Sequence, residues 1–434
     1  MPGTVTTEQT ARRASTGRLA TAGAVGTTLE WYDFTVYNTL AALVFNRLFF
    51  PSFDPLSGMI LAFSTYAVGY ISRPIGGVVF GHLGDKRGRR LVLVVTLILM
   101  GLTTALMGML PTFASAGIWS PILLVALRFV QGVALGGEWA GAVLIAFEHS
   151  AKDRRGLSAS WTQVGPSLGT LLATGCIAIV TALLSSSSFL AWGWRVPFLT
   201  SSLLVAFGIW IRRGIDETPM FRALEQKGEK AKAPIGDVLR GYWRRLLIAG
   251  GVRVGSDVLY ALVYVFTLTY VTTVLNLSRT LALTAVMIAA PINAVTIPLF
   301  AALSDRIGRR PVYGSGAVLA MAWAFAFFVL IDTARPALIV LAAVFGVVLH
   351  SAMFGPQAAF MVEQFPTKVR YAGSSLAYTL AGIVGGGFAP LIFATLYRAF
   401  HTTVAVSLYV VTSLCLTGLA LLAARETGRS PLEG

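Results

Sequence analysis

Apolar residues run in long stretches from Thr21 to Leu421, separated by short polar connections. A bilayer-crossing helix needs roughly 20 predominantly apolar residues. The stretches that meet this length fall at 20–46, 56–81, 90–110, 118–147, 157–184 and 192–212, then at 245–274, 282–302, 311–331, 336–361, 371–397 and 403–423. The pattern predicts an all-α polytopic membrane protein with twelve transmembrane helices. Between the two groups of six lies a polar stretch that includes GIDETPMFRALEQKGEKAKAP. Charges are dense there and apolar runs absent, so it reads as a solvated linker with room for one surface helix. The predicted organisation is a tail at 1–19, a six-helix bundle at 20–212, a linker at 213–244, a second six-helix bundle at 245–423 and a tail at 424–434.

Composition removes the competing classes. The chain has 434 residues, 56% hydrophobic and 12% charged, against about 25% charged in a typical soluble protein. A soluble enzyme, a disordered chain or a disulfide scaffold would need a different balance. Cys176 and Cys415 both fall within spans and read as small packing residues, not as a disulfide or metal pair. The first apolar run is a full span without a cleavage-site pattern, so the start reads as uncleaved.

The formal net charge of +15 changes meaning once it is placed along the chain. Of 34 Lys and Arg, 26 lie on the termini and on the loops after even-numbered spans. The opposite side holds Arg47, Arg195, Arg279, Arg335 and Arg398, and Arg73, Arg128 and Arg253 lie inside spans. Basic loops resist translocation and favour anionic lipid surfaces. Both termini and the linker are therefore expected in the cytoplasm, and the charge points to membrane topology rather than to nucleic acid.

The two groups of spans repeat each other. GHLGDKRGRR at 81–90 matches AALSDRIGRR at 301–310, and Glu148…Arg155 answers Glu363…Arg370. Repeated halves suggest a transporter with its site at their interface near the midplane. Glycines in the loop allow a tight turn. Asp85 with Arg89, and Asp305 with Arg309, are candidate gates: the aspartate can meet a helix N-terminus or an arginine in one conformation and release it in another. A purely topogenic basic loop is the alternative.

These loops, together with RFVQGVALGGEW at 128–139, resemble the signatures of the major facilitator superfamily. EWYDF at 30–34, RPIGG at 73–77, WGWRVPF at 192–198 and DETPMF at 216–221 are similar to its metabolite:proton symporters, with WYDF…AALVFNRLFFP and RYAG…GGGFAP nearest to shikimate and other organic-acid permeases. The resemblance implies two pseudo-symmetric six-helix bundles, alternating access and coupling to the proton gradient. It also implies a bacterial inner membrane. Its substrates are small organic anions or zwitterions such as proline and betaine.

A charge at the bilayer centre costs roughly 3 kcal/mol or more, so each one needs a partner or a task. Glu30 and Asp33 are in the first span, Arg128 and Glu138 in the fourth, Arg253 and Asp257 in the seventh and His350 in the tenth. In the resembled fold these spans line the central cavity. Arg73 lies near a span end, where its side chain is expected to snorkel outward.

Glu30, Asp33 and Tyr37 share one helix face, as do Arg128, Gln131 and Glu138. Asp33 and Arg128 reach similar depth, so they are expected to pair directly. Such a pair couples protons to transport, because a close guanidinium favours the carboxylate and its withdrawal favours the acid. A permanently ionised structural pair is the alternative. Glu30 and Glu138 are further proton candidates.

Arg253, Asp257, Tyr260 and Tyr264 fall on one line of the seventh span. A guanidinium fork suits a carboxylate, and the tyrosines add hydroxyls and rings. Mutual neutralisation of Arg253 and Asp257 one turn apart is the alternative. His350, Gln357, Gln163 and Tyr378 are candidate cavity polars beside Tyr37 and Gln131. Gly165, Gly169, Gly385, Gly386 and Gly387 are expected to permit close packing.

No phosphate-binding loop, Cys/His cluster or nucleophile elbow occurs. The expected activity is import of a small organic anion by proton symport, without enzyme chemistry, cofactor or metal. A zwitterion symporter and a proton-driven drug antiporter are the alternatives. A monomer suffices, since the site lies between its own halves.

Overall fold

The computed structural model describes residues 24–87, 89–136, 139–148, 150–213, 234–366 and 369–427. Helix covers most of the described part of every predicted apolar stretch, and no strand occurs among the described residues. In chain order the principal helices are α1 (24–40), α2 (Pro55–Ile71), α3 (Arg73–Arg87), α4 (Arg89–Met109), α5 (Trp119–Leu135), α6 (Trp139–Glu148), α7 (Arg155–Leu183) and α8 (Val196–Arg213). They continue as α9 (Trp243–Ala261), α10 (Arg279–Ile307), α11 (Arg309–Ile331), α12 (Pro336–Glu363), α13 (Arg370–Gly382), α14 (Ala389–Phe400) and α15 (Thr403–Ala423).

Among the described residues, eight helical segments are long and apolar enough to cross a membrane. The predicted spans at 20–46 and 56–81 are helical but interrupted. The first passes into a π turn at Ala41–Phe45, and the second breaks at Ser72, which leaves α2 with 17 residues. Side-chain distribution is inverted relative to a soluble protein. Leu183, Leu203, Val329 and Leu422 are at least 69% exposed, whereas Arg128, Arg253 and Asp33 are at most 2% exposed. An apolar exterior around a charged interior suits a hydrocarbon solvent.

Glycine sets how closely the helices cross. A Cβ on Gly132 would lie 2.1 Å from the Gly69 carbonyl oxygen, one on Gly76 1.8 Å from that of Val133, and one on Gly136 1.9 Å from that of Arg73. Backbones of α2, α3 and α5 therefore touch, as small residues allow in membranes. Gly165 and Gly169 seat α7 against Thr27–Tyr32 in the same way. Gly385, Gly386 and Gly387 form a π turn that receives the Tyr70 ring and the α9 backbone at Val254.

The repeated loop motif occupies the same place in each half. Asp85 lies at the end of α3 and Asp305 at the end of α10. Gly308 turns the chain at φ 107°, a value that strains any residue with a Cβ. Gly88, its counterpart, lies outside the described residues.

Candidate functional site

The α9 stripe reaches the centre of the molecule. Arg253 Nε lies 2.8 Å from Asp257 Oδ2, with both side chains buried. The same guanidinium donates to the Tyr378 carbonyl at 2.6 Å and lies over the Tyr378 ring, with Cζ 3.3 Å from its centroid. Tyr378 in turn stacks on Trp139 at 3.8 Å, and Trp139 Nε1 donates to Gln163 at 3.1 Å. These contacts hold the arginine with its fork fixed against an apolar wall, which favours planar recognition.

Arg253, Asp257, Tyr260 and His350 line a narrow cavity together with Trp31, Tyr66, Tyr70, Ala261, Phe354 and Gly386. Its walls come from helices of both repeats. The cavity holds about 10 Å³, room for roughly one water, so its walls lie close together. Tyr260 donates to or accepts from Thr170 at 3.0 Å and packs 4.6 Å from the Tyr264 ring. The hydroxyl of Tyr264 and Nε2 of His350 are buried without a hydrogen-bond partner. Asn293 holds the other face of His350, 3.3 Å from Nδ1, and accepts from Ser167 at 2.6 Å across the repeats.

Gln357 does not join this cavity. Its Oε1 lies 3.0 Å from the Tyr313 hydroxyl, which also reaches the Val252 carbonyl at 2.8 Å. The π turn Leu262–Phe266 follows directly after Tyr260 and Ala261 and rotates the stripe, so Tyr264 packs beside the cavity instead of lining it.

A second polar cluster lies between α1, α2, α4 and α5. The expected direct pair of Asp33 with Arg128 is absent. Asp33 instead accepts from the Ser201 hydroxyl of α8. Arg128 donates to Gln131, and Gln131 donates to Thr104 at 2.7 Å, a residue that also neighbours Asp33. The Arg128 guanidinium lies over Phe34 at 4.3 Å and Tyr37 at 4.0 Å, with Nε and Nη2 unpartnered. Asp33 on α1 turns to Ser201 of α8, whereas Arg128 on α5 turns to the Phe34 and Tyr37 rings of α1. Tyr37 is tied to Thr65 of α2.

Arg73 also departs from expectation. It does not snorkel outward; it is 4% exposed and lies over Tyr70 at 4.0 Å and Phe34 at 4.6 Å. Phe34 thus carries a guanidinium from each of Arg73 and Arg128. Glu30 is buried on α1. Glu138 lies outside the described residues, as do the side chains of Asp85 and Arg89.

At the basic-loop end, Asp305 bridges the repeats. Its carboxylate accepts the backbone N–H groups of Gly156 at 2.8 Å and Leu157 at 2.9 Å, the exposed donors that open α7. Arg309 Nη1 meets the same carboxylate at 2.7 Å, and its Nη2 lies 3.2 Å from Glu363. A Cβ on Gly156 would lie 2.2 Å from Arg309 Nη1 and 2.7 Å from Asp305 Oδ1. Gly156→Ala is therefore expected to cost the closed state about 1–3 kcal/mol, on the order of tenfold or more in the closed-to-open ratio. A cysteine placed at the buried Ser160 should label faster with a membrane-impermeant thiol reagent in this variant. Unchanged labelling would remove Gly156 from the closure. At the opposite end, Arg398 of α14 bonds Ser57 and lies 3.4 Å from Asp54.

Sequence comparison accords with this architecture. The family model described as Major Facilitator Superfamily matches residues 24–390 and 255–433. The chain is 37% identical over 427 residues to the "Shikimate transporter" of Escherichia coli (strain K12), covering 97% of this chain and 96% of that one. It is 33% identical over 424 residues to the "Glycine betaine/proline/ectoine/pipecolic acid transporter OusA" of Dickeya dadantii (strain 3937), covering 95% and 84%. Among solved structures, the proton:xylose symporter XylE bound to 6-bromo-6-deoxy-D-glucose superposes with a TM-score of 0.77 at 18% identity, covering 97% and 98%. An inward-open xylose transporter from E. coli gives 0.70 at 19% identity, covering 96% and 98%. The fold is shared with these structures, and the relatives are transporters, so the protein is a multi-pass membrane transporter and not an enzyme. With the family model covering nearly all of it, the chain belongs to the major facilitator superfamily.

Proposed function

We propose that this transporter imports a small organic anion of the shikimate-like carboxylate class by proton symport. The observation that carries the reading is Arg253, a buried guanidinium on the wall of the cavity between the repeats. A carboxylate entering an opened cavity meets the fork of Arg253 and the hydroxyls of Tyr260, Tyr66 and Tyr70. Such a charge-assisted contact is strong because the site excludes water. The name of the E. coli shikimate relative supports the anion class. The cavity contains no candidate metal cluster among the described residues, and no step of this reading needs a cofactor.

In this account the halves 20–212 and 245–423 rock about the cavity, joined by the linker at 213–244, with tails at 1–19 and 424–434. Asp305 and Arg309 close the basic-loop end and Asp85 and Arg89 act equivalently in the other half. Asp33 is the coupling acid. It has no directly bonded cation, and Arg128 reaches it through Gln131 and Thr104, so a shift of α5 against α1 changes the stability of its charge. Glu30 and Glu138 are auxiliary proton sites. The chain works as a monomer in a bacterial inner membrane with both termini cytoplasmic, as the distribution of basic loops supports.

One observation favours a second reading. The cavity is walled by Trp31, Tyr66, Tyr70, Tyr260 and Phe354 beside Asp257, and rings with a carboxylate suit the quaternary ammonium of a betaine. A binding panel separates the two. Purified protein is expected to gain thermal stability with shikimate, 2-oxoglutarate or citrate. A shift of about 2.7 kcal/mol corresponds to ligand at 100 times its Kd. Stabilisation by proline or betaine alone would overturn the anion reading.

A further inference from the structure

At the end opposite Asp305 a vestibule of about 680 Å³ opens between the repeats. One wall is the end of α1 with its following loop, including Asn46 and Arg47; another is the segment from Thr272 to Thr280, including Arg279; the end of α7 closes the third side. Hydroxyl and amide groups of Thr181, Ser186, Thr272, Asn276 and Ser278 share the lining with apolar residues such as Leu43, Phe53, Leu184 and Leu277. Among the described residues no carboxylate lines it. Asp54, the nearest acidic position in sequence, is engaged with Ser57 and Arg398. Arg47 and Arg279 line the same hollow from the two repeats, and Arg279 lies over the Phe189 ring at 4.9 Å.

Two like charges from opposite repeats, facing one polar hollow without a counter-ion, form an arrangement that an anion would relieve. The walls also belong to the helices that frame the deeper cavity: α1 carries Trp31 and α9 carries Arg253, and each leads to this vestibule at its far end. We propose that Arg47 and Arg279 form an outer carboxylate-binding station that captures the anionic substrate and concentrates it ahead of the central cavity. The proposal rests on the anion reading above. Clefts lined by one sign of charge raise local counter-ion concentration and capture rates.

A capture station acts on entry, so it changes KM rather than the turnover of bound substrate. The test is initial uptake of radiolabelled shikimate by proteoliposomes made from zwitterionic lipid, across a series of ionic strengths. For Arg47→Gln with Arg279→Gln, KM is expected to rise about tenfold with kcat unchanged, within the 10- to 1,000-fold range of electrostatic capture. The rise of KM with salt seen in the wild type should flatten. Arg47→Lys with Arg279→Lys should restore both. Arg47→Gln alone, at an exposed residue, provides a version whose folding is not in doubt and should give a smaller rise in the same direction.

An unchanged KM and an unchanged salt dependence in the double variant, with wild-type shikimate uptake intact, would overturn the station and leave the anion reading standing. Wild-type protein that carries betaine but no shikimate would overturn both. Repeating the series with anionic lipid distinguishes the source of the anion. If the arginines serve lipid headgroups, the variants will lose only the response to anionic lipid and keep wild-type KM in zwitterionic vesicles, which also refutes the station.

Discussion

Replacing Arg253 with alanine is expected to lower affinity for a carboxylate substrate about 100-fold. The change removes the guanidinium that faces the cavity and leaves Asp257, 7% exposed, without its 2.8 Å partner. Breaking a buried pair by deleting one member costs about 3–5 kcal/mol, and about 3 kcal/mol lost from binding is a fall on the order of 100-fold. Folding and binding are separated by a second variant. Arg253→Ala with Asp257→Ala removes both charges, so stability should recover while affinity for shikimate does not. Recovery of affinity in the double variant would show that Arg253 only neutralises Asp257.

Asp33→Asn should uncouple transport from the proton gradient. An amide oxygen can still accept from Ser201, so the packing of α1 against α8 is preserved, but the residue no longer gains or loses a proton. A carboxylate monoanion that moves with one proton carries no net charge, so the pH gradient drives it: one pH unit is worth about 1.4 kcal/mol, or roughly tenfold accumulation. That accumulation is expected to vanish, whereas exchange of labelled for unlabelled substrate continues at near wild-type rate. Active accumulation in the variant would assign coupling to Glu30 or Glu138 instead. Exchange lost together with accumulation would mark Asp33 as structural.

The sequence showed most clearly what a single helix determines. Arg253, Asp257 and Tyr260 meet the cavity because their spacing alone puts them on one face, whatever packs against it. Asp305 was legible from its repeated motif, but its partners Gly156 and Leu157 lie about 150 residues away on another helix, and only packing supplies them. Depth along the span suggests a pairing of Asp33 with Arg128. Depth fixes the position along an axis, while the direction around it depends on neighbours, here Ser201 for one and Phe34 with Tyr37 for the other.

Other residues of the site carry a signal in their spacing. Tyr66, Tyr70 and Arg73 are spaced four and three apart, which continues one stripe across the break at Ser72. Their face turns inward, which explains both the cavity tyrosines and the burial of Arg73. Asn293 is a lone amide inside an apolar span, the kind of intramembrane polar group that calls for a partner. Trp31 and Phe354 gave no such signal, because an apolar ring in a membrane helix looks the same whether it faces lipid, a neighbour or a cavity. Glu426 is likewise unreadable locally: it bonds the backbone N–H groups of Arg309 and Arg310 at 2.9 Å from the far end of the chain.

The central claim is that a carboxylate and a proton move together through the cavity between the repeats. Its most direct test is the external pH of weakly buffered, de-energised vesicles holding the protein as shikimate is added. The account predicts alkalinisation that saturates with shikimate, is absent in Asp33→Asn vesicles and is dissipated by a protonophore. Saturable shikimate entry with no change in pH would contradict it.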